Sequence, residues 1–239
     1  MRTKRAVLFA ALLAISAAFF FWLRASQTDL VFRGQPESVW IQALVYRDEP
    51  QAEQWRKFGP KGVHVLMRAL DDANRPFERD YRKLYHKMAP IAGRFIPHPR
   101  MDSTRARRMT VCDLLCRLGK DAAIATPAMI RELDDEEASV RQIAINFFTL
   151  PEDQTALLNQ MDKAEKQKLL PTFIRDIQDS HPGLRINAAV ALGYYSEQTA
   201  IVVPILVKAL QDSDPQAALA ARASLNKIDP KAATNAGVK

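Results

Sequence analysis

The chain reads as an all-α protein of stacked antiparallel helix pairs, preceded by one N-terminal transmembrane helix. Three observations predict this. An uncharged apolar run opens the sequence, a nine-residue pattern returns along the rest of it, and glycine is scarce, with 8 in 239 residues. Short helices joined by tight turns need few glycines, and glycine-built phosphate loops need many. Two cysteines cannot frame a disulfide-stapled fold. Charged residues at 26% and apolar ones at 48% are ordinary for a folded chain and exclude both a disordered chain and a multi-span membrane protein.

The opening run is a membrane signal. Arg2, Lys4 and Arg5 precede Ala6–Leu23, where Ser16 is the only polar side chain. Eighteen helical residues span about 27 Å, close to the thickness of a bilayer core. Secretory signals have shorter apolar cores and a small-x-small cleavage site. Here Leu23 stands two before Ala25, so the segment reads as an uncleaved signal anchor over residues 1–25. Basic residues before the run outnumber Arg24 after it, which keeps the N-terminus in the cytoplasm. Phe19, Phe20, Phe21 and Trp22 suit the far interface. The expected address is the inner membrane, single-pass, with the C-terminal domain on the periplasmic side.

The repeat comes next. Pro127–Asp135, Pro171–Asp179 and Pro204–Asp212 align without gaps, each with Pro first, aliphatic residues fourth and seventh, and Asp ninth. A weaker copy runs from His64 to Asp72. Pro at the start fits a first helical turn, whose N–H groups have no helical acceptor. The Asp ends that helix and can cap the next. Following each Asp, a second helix carries Val140, Leu184 or Ala217, then Ala144, Ala188 or Ala221, then Phe148, Leu192 or Leu225. Steps of four mark one helical face, with Ala where helices approach closely. Arg141 and Arg185 share the place after the first of these; Ala218 departs from it. A helix pair this short cannot bury its own face, so neighbours must stack.

Pro, the aliphatic stripe, the Asp and the Val-Arg or Leu-Arg pair resemble the HEAT family, and the related HEAT-like repeats of phycobilisome-lyase type. The segment Gly34–Ile41 is similar to the linker-to-cap region of membrane-anchored HEAT-repeat proteins of planctomycete and verrucomicrobial bacteria. The resemblance covers roughly residues 50–229. It implies a right-handed α-solenoid and protein–protein interaction as the work of the fold. The Asp marks recur at 72, 135, 179 and 212, so the first two intervals carry insertions.

The implied organisation is an anchor at 1–25, a linker and capping helix at 26–50, a repeat domain at 51–229 and a flexible tail at 230–239. Helices are expected at 36–46, 53–58, 60–70 and 75–87, the last two forming the first unit. The helix 103–118, with Ser103 as N-cap and Gly119 as stop, opens the second unit. The pairs 122–133 with 137–149, 163–178 with 182–194, and 198–211 with 215–227 follow. No strand is expected, because alternating β-branched runs are absent.

Catalytic patterns are missing. Gly119-Lys120-Asp121 lacks the upstream glycine and the hydroxyl residue of a phosphate loop. Cys112 and Cys116 lie four apart among apolar residues and read as small buried hydrophobes. A zinc site would need two further ligands, and His98 supplies one. His64, His86, His98 and His181 are scattered, and His64 reads as a partly buried structural residue. The run Asp134–Glu137 suits the positive N-terminus of the following helix. We therefore expect no catalysis, no cofactor and no metal.

The basic insertion at 73–110 is the unusual feature. Ten Arg and Lys stand there against Glu78, Asp80 and Asp102, interleaved with Tyr81, Tyr85 and Phe95. Arg94, Arg100, Arg105, Arg107 and Arg108 are the candidate partner-binding patch; Pro127, Asp135, Arg141, Pro171, Asp179, Arg185, Pro204 and Asp212 are the repeat-structural residues. The patch suits an acidic protein partner, anionic lipid or nucleic acid, although export argues against nucleic acid. The leading expectation is an envelope scaffold whose protein partner is not specified by sequence. A HEAT-like lyase-type enzyme and a nucleic-acid or anionic-surface binder are the alternatives.

Overall fold

A computed structural model describes residues 30–74, 101–150 and 156–236, and these residues are overwhelmingly helical. The expected anchor at 1–25, the expected helix at 75–87, and Arg94 and Arg100 lie outside the described residues. Among the described residues, no single helix is long and apolar enough to cross a membrane. The chain divides into two units, Met1–Ala43 and Leu44–Lys239.

In the first unit, β1 (Val31–Phe32) pairs antiparallel with β2 (Gln35–Pro36), where no strand was expected. Arg33 and Gly34 both hold positive φ, at 50° and 78°, the backbone of a tight two-residue hairpin. The helix α1 (Glu37–Gln42) follows, with Pro36 at its N-cap. It stops short of the expected Tyr46. Trp40 Nε1 donates to the Phe32 carbonyl at 2.9 Å, and the two rings meet edge to face.

The second unit begins with α2 (Glu49–Ala73). Asp48 caps it by accepting from the Gln51 N–H at 3.0 Å. The two helices expected at 53–58 and 60–70 join across a kink. Gly59 sits there at φ 59°, ψ −153°, before Pro60. Only glycine adopts that backbone without strain, and proline cannot donate across it. The remaining helices are α3 (Met101–Leu118), α4 (Thr126–Glu132), α5 (Ala138–Thr149), α6 (Leu157–Gln160), α7 (Lys163–Asp176), α8 (Pro182–Leu192), α9 (Thr199–Ala209), α10 (Pro215–Ile228) and α11 (Pro230–Asn235). Short 3-10 turns at Gly119–Ala125 and Ser196–Gln198 replace the first residues of two expected helices.

Pairing follows the repeat with one correction. The helix α2 packs on α3, α4 on α5, α7 on α8 and α9 on α10, while α3, α5, α8 and α10 pack in succession on one another. Residues 103–118 therefore do not open the second helix pair; they complete the first pair, with α2. The apolar places agree, since Val111 and Leu115 are fully buried, as Ala144 and Phe148 are. The insertion falls inside the first helix pair.

The second-helix stripe is interior throughout. Val140, Leu184 and Ala217 are at most 2% exposed, and the six Ala, Phe and Leu that follow them are fully buried. Alanine at the middle place lets neighbouring helices approach. On the first helices the deepest place is the third, not the fourth. Leu66, Met129, Phe173 and Leu206 are fully buried, whereas Ile130, Ile174 and Val207 are half-buried.

Two prolines depart from expectation. Pro127 lies in the first turn of α4, but Pro171 and Pro204 lie inside α7 and α9. Both are exposed, so the carbonyl each leaves without a helical donor is on the side where water can reach it. The expected fraying tail is instead the helix α11. Asp229 accepts from the Ala232 N–H at 2.9 Å, Pro230 occupies the first turn, and Ala233 is fully buried.

Candidate functional site

The repeated Asp and Arg residues meet across successive helix pairs and form a ladder. Each rung joins an Arg near the start of one second helix to the Asp at the next inter-helix turn. Arg185 is the cleanest case, with Nε and Nη2 each 2.8 Å from an Asp212 carboxylate oxygen. That two-pronged geometry is the strong form of an Arg–carboxylate contact. Its Nη1 turns back to the Asp179 and Ser180 carbonyls at 3.0 and 3.1 Å. Arg141 repeats the arrangement one pair earlier. Its Nη2 reaches Asp179 at 2.7 Å, and its Nη1 reaches the Asp135 and Glu136 carbonyls.

The third rung was not legible in the repeat alignment. Arg108 is 1% exposed, and its Nε stands 2.9 Å from Asp135. It takes the place held by Arg141 and Arg185 in later pairs, hidden by the insertion that displaces it from Asp72. This removes Arg108 from the candidate surface patch. Arg105 remains half-exposed, beside Glu137 at 3.5 Å and Ser139 at 3.3 Å. Arg107 is half-buried. The patch residues within the described chain thus have three different surroundings and do not form one open basic surface.

Each ladder Asp also organises its own turn. Asp135, Asp179 and Asp212 accept the N–H two residues on, from Glu137, His181 and Asp214, at 2.7–2.8 Å. Glu137, His181 and Asp214 are the N-caps of α5, α8 and α10. The repeated Asp therefore fixes the cap residue rather than capping the helix itself. Asp214 caps α10, accepting from the Gln216 and Ala217 N–H groups. The His181 N–H and the Arg141 charge hold Asp179 below the usual carboxylate range. Arg185 does the same for Asp212 and is itself raised in return. Ala218 ends the ladder in the last pair, as its sequence place indicates.

An outer set of contacts joins the first helices. Arg131 reaches Asp71 at 2.5 Å, and Arg175 reaches Asp134 at 2.7 Å. Arg175 also holds Asp176, which is fully buried and lies 3.6 Å from Arg141. In the place of Asp176, the preceding pair carries Glu132, which sequence reasoning passed over. Glu132 is 1% exposed. Its Oε1 accepts from Asn74 Nδ2 at 2.5 Å, while its Oε2 and Asn74 Oδ1 are buried with no donor. Burial, reinforced by Asp135, raises its carboxyl to about 7.

The remaining candidates have structural surroundings. Cys112 is fully buried, and Cys116 Sγ donates to the Ile143 carbonyl at 3.3 Å. Burial pushes both thiols well up, which keeps them protonated and unreactive. His64 is exposed, not partly buried as expected. His98 and His86 lie outside the described residues. Among the described residues, no three His, Cys, Asp or Glu side chains come together as metal ligands. The acidic run Asp134–Glu137 divides its work: Asp134 meets Arg175, Asp135 meets Arg108, and Glu137 is the α5 cap residue.

What this arrangement does is mechanical. Arg141 and Arg185 each bind their own inter-helix turn and the turn of the next pair, so these two rungs tie neighbouring pairs together, and Arg108 ties α3 to the Asp135 turn. No family model and no curated protein matches this chain.

Proposed function

We propose that this protein is a membrane-anchored scaffold or adaptor of the bacterial envelope, a HEAT-like right-handed α-solenoid that binds other proteins and carries out no catalysis. The observation that carries this reading is the Arg–Asp ladder at three successive boundaries between helix pairs, running from Arg108 to Asp212. Rungs that join corresponding positions of successive pairs support a continuous stack, in which each pair contacts its neighbours and the outer helix faces form one extended surface. Such surfaces bind by shape and by scattered polar contacts, without a deep cavity. The N-terminal apolar run supports anchoring, and its basic flank supports export of the repeats.

The exposed side of α10 supplies a place to test this, through Arg222 and Asn226. A photo-crosslinking amino acid placed at either position in the full chain, in living cells, should give one or a few discrete protein adducts. The same residue at Lys231, on α11 and outside the helix pairs, should give fewer. Adducts with nucleic acid or lipid in place of protein would overturn the scaffold reading.

A further inference from the structure

A surface contact and a buried one join the end of α2 to α4. The surface contact is Arg131 on Asp71, both more than half exposed. The buried one is Asn74 Nδ2 donating to Glu132 Oε1 at 2.5 Å. It is incomplete on both sides. Glu132 Oε2 and Asn74 Oδ1, the remaining polar atoms of the same two groups, are buried acceptors with no donor. Leaving two acceptors dry and unpaired is unfavourable unless a donor reaches them. A carboxylate has no hydrogen to give, and a carboxylic acid has one. Amide and carboxyl groups are both planar forks of two polar atoms. An acid and an amide can therefore close a ring of two hydrogen bonds, N–H to one oxygen and O–H to the other. One proton on Oε2 removes both orphan acceptors.

The charged groups around Glu132 are committed elsewhere. Asp135 faces it from the following turn and holds Arg108 of α3. Arg131, its neighbour in α4, turns to Asp71 and the Pro127 carbonyl. Cys112 of α3 faces it as a thiol that burial keeps protonated. From α7, Arg175 donates to the adjacent Leu133 carbonyl and holds Asp134 and Asp176. Burial, with Asp135, raises the Glu132 carboxyl to about 7 against the opposing pull of Asn74, Arg108 and Arg131, in keeping with a proton held there.

We propose that Glu132 and Asn74 form a proton-closed latch, in which Glu132 Oε2 carries a proton donated to Asn74 Oδ1, and that loss of this proton to water releases the end of α2 from α4. Asn74 is the C-cap of α2, its backbone N–H bonded to the Leu70 and Asp71 carbonyls, and it lies where the sequence enters the basic insertion. The latch makes the hold on that helix end depend on pH. It does not depend on the scaffold reading.

The test uses the full chain in neutral detergent at pH 5.5 and 8.5. Infrared difference spectra should show a carboxylic-acid carbonyl band at pH 5.5 that vanishes at pH 8.5 and is missing from Glu132→Gln at both. Asn74→Ala removes the acceptor and should move that band to higher frequency. Because the folded chain holds the proton to higher pH than the unfolded one, the closed pair weakens as pH rises. Amide exchange over Leu70–Asn74, corrected for its intrinsic pH dependence, should lose about tenfold or more of its protection between the two pH values. Glu132→Gln should show no such loss, because its amide closes the ring at either pH. Absence of the band at pH 5.5, its persistence at pH 8.5, a band unmoved by Asn74→Ala, or protection that changes equally in wild type and Glu132→Gln overturns the proposal.

Discussion

Glu132→Gln should stabilise the protein at neutral and alkaline pH and have little effect in acid. The reason lies in the buried contact at the end of α2. Glu132 is 1% exposed, with one oxygen on Asn74 and the other lacking any donor. Burial acts most strongly against its charge and Asp135 adds to that, while Asn74, Arg108 and Arg131 act the other way without cancelling it. Desolvation therefore favours the neutral acid, and its carboxyl rises from an ordinary 4.5 to about 7. Below pH 4.5 folded and unfolded chains both hold the proton, and there is no penalty. Between 4.5 and about 7 the unfolded chain releases its proton while the folded chain keeps it, so wild-type stability falls as pH rises. Above that interval the loss is complete, and at ~1.4 kcal/mol per pH unit it amounts to about 3 kcal/mol. Glutamine carries no charge, and its amide presents a donor where Oε2 has none. Urea unfolding of the full chain in detergent micelles, followed by far-ultraviolet circular dichroism from pH 4 to 8.5, measures the difference. The two proteins should converge near pH 4 and separate by about 3 kcal/mol near pH 8. A difference that does not change with pH, or a variant less stable at pH 8, would refute the reasoning.

The other predictions concern the ladder, the close packing and the last helix. Arg141→Ala leaves Asp179 and two turn carbonyls without their donor, and should cost about 2 kcal/mol in the same unfolding assay. Arg131→Ala removes an ion pair whose side chains are 57% and 58% exposed, and should cost less than ~0.5 kcal/mol. Equal costs for the two would remove the distinction drawn between buried rungs and surface pairs. Gly193→Ala would set a methyl group 2.6 Å from Ser224 Oγ and 3.1 Å from its Cα, and should destabilise by roughly 1–3 kcal/mol. Ser224→Gly in the same chain should recover part of that loss in a double-mutant cycle. Asp229→Ala removes the α11 cap and should cost about 1 kcal/mol, with faster amide exchange over Pro230–Asn235.

The periodic parts of the fold were legible because helical burial leaves a regular trace. The Val140, Ala144 and Phe148 stripe and its two later copies are interior as their spacing indicates. The same reasoning misplaced α3, because about thirty inserted residues hide the register that relates Arg108 to Arg141. It also gave Pro171 and Pro204 a first-turn role, although the helices expected at 163–178 and 198–211 already enclose them; α7 begins at Lys163 as expected, with its cap at Asp162. A hairpin of two-residue strands that depends on positive φ at Arg33 and Gly34 is hard to read from sequence. At the candidate site, Asp135, Asp179, Arg141 and Arg185 stood out as repeats, yet their pairing was not visible. Each Arg meets the Asp of the following pair, and that partner is fixed by packing rather than by sequence distance. Glu132 left no sequence signal at all. One carboxylate among many becomes distinctive only when its oxygens are seen to lack donors.

The scaffold account depends most on where the repeats reside. A reporter that is active only outside the cytoplasm, fused after Lys239 and paired with a cytoplasm-active reporter at the same position, measures this in one experiment. The account predicts signal from the exported reporter and none from the other. Removing Ala6–Leu23 should abolish that signal. Activity of the cytoplasmic reporter in the full chain would contradict an envelope scaffold.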